Sequence, residues 1–190
     1  MDRLYLSYWM RGYTEHNMLR HFATALRKFP YSRLSPTMQL RIFEDELVEP
    51  PVFEHLYDGG YDFDLMIEEA KQHQSPNFGY ELEAQWDLWQ WADQEWKLAP
   101  ARVSIFCFGP AFDALNRDHL EINFGLESHF LPQSAAAGPS LPMVQSNIRS
   151  LLKFVHDLDR SLGAERRQLW SESGDNFAAK LEAALVLTPS

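Results

Sequence analysis

A single cysteine in 190 residues, Cys107, leaves no partner for an intramolecular disulfide, so the fold has to be held by its core, and the chain suits a reducing compartment. The same scarcity removes every zinc pattern built on several cysteines. No uninterrupted apolar stretch is long enough to cross a bilayer as a helix. The start, Met1-Asp2-Arg3-Leu4-Tyr5-Leu6, reaches Arg11 without the apolar run of a signal peptide, and a cytoplasmic location is the resulting expectation. Basic residues are in deficit: 17 Lys and Arg against 27 Asp and Glu give a net charge of -10, which opposes nucleic-acid binding by phosphate neutralisation. Also absent are Gly-x-Gly-x-x-Gly, the Walker loop, His-Glu-x-x-His, the Ca²⁺ loop and the Gly-x-Ser-x-Gly elbow. These absences remove standard chemistries without excluding catalysis, because sites are assembled from residues far apart in sequence. No cofactor is indicated.

Against these deficits stand 45% hydrophobic residues, 14% of the chain aromatic, a globular composition with enough bulk for a core. Residues 1–190 are expected to form one domain, with a weak subdivision near 76–100 and a flexible loop at 132–142, where small residues, glycine and prolines gather. Charge is uneven. Residues 1–43 carry seven basic residues against two acids, and residues 44–99 carry fifteen acids against two lysines. That asymmetry is either an ordinary surface pattern or a docking surface for a basic partner.

Hydrophobic periodicity predicts the elements. Residues 3–10 read as a strand. Met18, Leu19, Phe22, Leu26 and Phe29 make 15–29 an amphipathic helix, capped by Thr14 and stopped by Pro30. Met38, Leu40 and Ile42 alternate with Gln39 and Arg41 in a strand with one wet face, and the proline-containing segment after it reads as a connection. A short helix spans 63–73. From Tyr80 to Leu88 an apolar face opposes Glu81, Glu83, Gln85 and Asp87. Residues 89–98 are read as a strand with a bulge or bend, 102–108 as a central strand holding Cys107, and 119–130 as a strand or a broken strand, with Gly125 the candidate bulge. A helix over 143–162, a strand over 167–171 and a helix over 176–186 follow. The succession of strand, long helix, strand and short helix occurs near both ends. It suggests an α+β fold, a mixed or mainly antiparallel sheet covered by helices, drawn as ferredoxin-like in one copy or two pseudo-repeats.

Two groups of residues carry candidate chemistry. On an extended 119–129 segment the odd residues share a face, which aligns His119, Glu121, Asn123, Glu127 and His129. His119 and His129 are candidate metal ligands, and Glu121 and Glu127 candidate general bases. Residues two apart on a strand lie about 7 Å from each other, so both histidines reach one metal only if the strand bends at Gly125. A solvated strand face is the plainer account. The second group is Trp86, Trp89, Trp91 and Trp96, within an acidic stretch. Such rings either close the core or form a binding surface for Arg and Lys of a partner.

The favoured expectation is a protein-binding or regulatory module acting through an acidic, tryptophan-rich surface, on a partner with a basic surface or on a second copy. The alternative is a metal-dependent hydrolase or small-molecule-binding protein with its site on the 119–129 face. Neither nucleic acid nor membrane is an expected partner.

Overall fold

The computed structural model describes residues 2–58, 62–113, 117–131, 137–174 and 176–186, with the side chains of 137–140 set aside. In chain order the elements are β1 (Arg3–Met10), α1 (Glu15–Lys28), β2 (Met38–Glu44), β3 (Phe53–Tyr57), α2 (Phe63–Gln72), β4 (Phe78–Ala92), β5 (Glu95–Phe108), β6 (Leu120–Leu126), a single 3-10 turn at Glu127–His129, α3 (Ala137–Leu162), β7 (Ala164–Ser171) and α4 (Phe177–Val186). The strands form one sheet in the order β3-β2-β4-β5-β6-β1-β7, and every neighbouring pair is antiparallel.

An α+β fold with an antiparallel sheet covered by helices therefore stands. β1 pairs with β6 and β7, whereas a ferredoxin-like repeat over the first four strands would seat it beside strands of its own half.

Alternation decides which sheet face is covered. Leu4, Leu6, Tyr8 and Met10 of β1, Leu40 and Ile42 of β2, Leu82, Ala84 and Trp86 of β4, Val103, Ile105 and Cys107 of β5, and Leu120, Ile122 and Phe124 of β6 point to one side. There they are buried in a single core with Met18, Phe22 and Leu26 of α1, Met66 of α2, Ile148, Leu151 and Leu158 of α3 and Leu181 of α4. α1 ends where the residue before Pro30 turns extended, Phe29 at φ -66 and ψ 136, as proline demands of its predecessor.

Three expectations are corrected. Residues 89–98 are neither bulge nor bend: β4 and β5 are the arms of one long hairpin that turns at Asp93 (φ 53) and Gln94 (φ 66), the paired left-handed conformation of a two-residue turn. Strand β6 stops at Leu126, because Gly125 at φ +77 breaks the extended run and Glu127–His129 winds into a 3-10 turn. The helix expected from 143 begins at Ala137 and carries Pro142 inside. Pro142 is the sixth residue of that helix, so the helix forgoes there the bond to the carbonyl four residues back. Residues 137–142 of the expected loop are thus helical, and 132–136 lie outside the described residues.

Among the described residues no helix lies over the opposite face, and the strand register lays its side chains out in rows. One row runs Glu54, Arg41, Glu81, Phe106, Glu121, Ser7, Gln168 from β3 to β7, and the next runs Leu56, Gln39, Glu83, Ser104, Asn123, Tyr5, Trp170. Toward one end lies a small second cluster of Phe43, Phe106, Phe108 and Phe112. The Phe112 ring lies where a side chain on Gly79 would be, 2.8 Å from an added Cβ.

Candidate functional site

The cluster of four phenylalanines borders a cleft of about 1070 Å³ lined by Trp9, Tyr13, Phe112, Arg117, Asp118, His119 and Arg166, with Gly12, Gly109, Pro110 and Glu165. Three strand ends build it. β1 brings Trp9, the residues leading into β6 bring Arg117, Asp118 and His119, and β7 brings Arg166, the Cα partner of Trp9. The volume lies just above the usual range of small-molecule sites.

His119 is fixed on both sides. Its Nδ1 accepts the Met10 backbone N–H at 2.7 Å, and its ring stacks on Tyr13 with centroids 4.0 Å apart and 5° between planes. Tyr13 is itself anchored, its hydroxyl donating to the Phe108 carbonyl at 2.6 Å. With Nδ1 an acceptor, the ring proton sits on Nε2. Burial, and after it the nearby His21, lower the His119 pKa and keep the imidazole neutral.

Two guanidiniums lie flat on rings at the same cleft. Arg117 is centred 3.7 Å over Phe108 and Arg166 3.5 Å over Trp9, an arrangement that leaves the planar edges for hydrogen bonding. Arg117 spends its edge on Asp113 at 2.7 Å and approaches Asp118 at 4.0 Å. Among the described residues no carboxylate lies within ion-pair distance of Arg166.

Behind the cleft, Asp118 meets Glu121, which stands in the central row of the helix-free face. Trp170 Nε1–H donates to Ser7 Oγ at 3.0 Å, and an indole can only donate. Ser7 and Glu121 both lie beside the Asp118 carboxyl and act on its titration. The two carboxyls titrate as a pair, and burial raises both. Burial, followed by the Asp118 charge, pushes the Glu121 carboxyl up to about 7, against the pull of Arg117. Such a group can exchange a proton at neutral pH.

The other expected site residues lie elsewhere. Glu127, in the 3-10 turn, accepts from Ser171 Oγ and from Ser173 Oγ at 3.2 Å, which ties the end of β6 to the end of β7. His129 lies beyond the far end of β6 from His119 and lines a different groove, of about 500 Å³, with Arg41, Glu81, Arg102 and Asn123. Its Nδ1 is buried with no hydrogen-bond partner among the described residues, and burial lowers its pKa. Among the described residues no group of three or more His, Cys, Asp or Glu is arranged to hold a metal ion.

The tryptophans separate. Trp86 is core at 4% exposure, packed among Phe29, Phe124, Phe130 and Phe154, so its place in a binding surface is corrected. Trp89 is half-buried at a backbone held by Asn147, whose side chain accepts from Trp89 N–H and donates to its carbonyl, both at 2.9 Å. Trp96 is half-buried against the core. Trp91 is 58% exposed near the hairpin tip, 5.9 Å from Trp96 between ring centroids.

Sequence reasoning singled out Glu121 and His119 but missed Ser7, Trp9, Arg117, Asp118, Arg166 and Trp170, which reach the site through strand order alone. It also missed His55, whose Nδ1 is bonded to both Glu69 oxygens at 2.8 and 3.0 Å while Tyr57 donates to the same carboxylate. The alternation of Phe53, His55 and Tyr57 was the available signal. No helix among the described residues is long and apolar enough to cross a membrane. Comparison with protein-family models, with curated proteins and with solved structures returns no match.

Proposed function

We propose that this chain is a small-molecule-binding protein whose ligand enters the cleft between Trp9, Phe112, His119 and Arg166. The observation that carries this reading is the presence of a neutral, oriented imidazole and two ring-stacked guanidiniums on the walls of one cleft of about 1070 Å³. Polar groups held in place by their surroundings lose little freedom on binding, which is how a site gains affinity from few contacts. The Asp118–Glu121 pair adds an exchangeable proton behind the site, which gives the reading room for acid–base chemistry on a bound molecule.

A fragment library screened against ¹⁵N-labelled protein by NMR tests it. Amide and indole shifts gathered at Trp9, Gly12, Phe112 and His119 are expected. Shifts gathered at Trp91 and Leu98, or no fragment bound, would contradict the proposal.

A second reading, a partner-binding module, rests on the end of the β4–β5 hairpin. β4 pairs with β2 only up to Glu83, and β5 with β6 only from Ser104, so the two arms run on together beyond their neighbours. Trp91 at 58% and Leu98 at 45% exposure present apolar surface there, with Asp93 and Glu95 both paired to Lys97. Aromatic surface on a projecting arm suits a protein partner or a second copy. Crosslinking from the tip would support this reading if it captured a defined partner, and an unchanged monomer with no captured partner would count against it.

A further inference from the structure

We infer that the ligand taken by this cleft carries an oxyanion, a carboxylate or a phosphate, held between the Arg166 guanidinium and the Nε2–H of His119 beside the Trp9 ring. The inference rests on the cleft reading above and narrows it to a ligand class. Trp9 stands in β1, and the two donors flank it from either side: His119 through its bond to Met10 and its own N–H to the Tyr8 carbonyl at 2.9 Å, Arg166 through direct pairing of β7 with β1. All three residues line the same cleft, and the two donors reach it from the chain on either side of β1.

The donors are of the right kind. Nε2–H of His119 is fixed as a donor because Nδ1 is already an acceptor, and the Trp9 ring holds the Arg166 fork flat at 3.5 Å with its edge available. A planar fork matched to two oxygens is how arginine recognises carboxylate and phosphate. The other charges of the cleft do not cancel this arrangement. Arg117 answers Asp118 and Asp113. Glu165 lines the cleft beside Arg166, at the irregularity where β7 shifts register against β1, and it is not within ion-pair distance of the guanidinium. The aromatic lining of Trp9, Tyr13 and Phe112 favours a ligand in which the oxyanion is joined to a flat ring.

Benzoate, phenyl phosphate and benzamide, which share the ring and differ in the charged group, are titrated into wild-type protein and into Arg166→Gln, with Trp9, Phe112 and His119 followed by NMR. Arg166 is exposed, so its replacement leaves the core intact. Benzoate or phenyl phosphate binding about tenfold or more tighter than benzamide, with the preference abolished in Arg166→Gln, is the expected result. The tighter of the two anions identifies carboxylate or phosphate as the group recognised. Equal binding of benzamide and the anions in the cleft, or anion binding indifferent to Arg166→Gln, overturns the oxyanion assignment while leaving the cleft as a site. Failure of all three compounds together with every neutral fragment at these residues overturns both.

Discussion

The raised pKa of the buried Glu121 makes stability depend on pH in a defined window. Unfolded, this carboxyl ionises near its ordinary value of 4.5; folded, it does so at about 7. Between those values the folded state binds more protons, so stability falls as pH rises, from undiminished below 4.5 to fully penalised above about 7. The separation corresponds to about 3 kcal/mol lost across the window. Glu121→Gln keeps a donor toward Asp118 and has nothing to ionise. Urea unfolding at closely spaced pH values from 4.5 to 8 should show wild type losing about 3 kcal/mol relative to Glu121→Gln, with the curves converging at the acid end. Glu81, raised by burial, slopes the same way in both proteins and drops out of the comparison to first order, whereas Asp118 titrates together with Glu121, so the difference between the curves reports the pair. Curves that stay parallel across the window would refute the raised Glu121 pKa and its coupling to Asp118.

Other expectations follow from burial and bonding. Trp86→Ala, at a core ring, should cost about 3–5 kcal/mol in chemical unfolding, whereas Trp91→Ala should stay within about 0.5 kcal/mol. Asn147 is buried and bonds Trp89 twice and the His129 carbonyl at 2.8 Å. Asn147→Ala should therefore cost about 2–4 kcal/mol and lower the melting temperature by about 2–4 °C for each of these. For His119 the sign is opposite to that of Glu121: its lowered pKa means stability is held at neutral pH and lost on acidification through the ordinary value of 6.5 and below. Hydrogen exchange at the Met10 amide should accelerate as pH falls toward 5 relative to the intrinsic rate, and His119→Gln should remove that excess.

Where a single element decides its own structure, the sequence was legible. Met18, Leu19, Phe22 and Leu26 gave α1 through their spacing, and all four are buried as that spacing requires. Alternation gave β2 and the first half of β4, and it placed Glu81, Glu83 and Glu121 on the face away from the apolar residues. The β4–β5 hairpin was hidden because its turn uses Asp93 and Gln94 in left-handed conformations without the glycine that signals such a turn. β3 was hidden beside Pro50 and Pro51, with Glu54 and His55 diluting a five-residue edge strand.

The site divides along the same line. Glu121 and His119 stood out because they are neighbours in sequence on one strand face. Ser7, Trp170 and Arg166 are brought to them by the adjacency of β6, β1 and β7, and no local pattern encodes which strands lie side by side. His129 and Glu127 were grouped with His119 by a period of two that holds only while the chain stays extended, and Gly125 ends that run.

The most direct measurement is a crystal structure of the protein soaked with the tightest-binding aromatic acid. Electron density in the cleft, with the charged group between Arg166 and His119 and the ring against Trp9 or Phe112, is what the account predicts. An empty cleft with the compound at the Trp91 and Leu98 surface or in the His129 groove would contradict it.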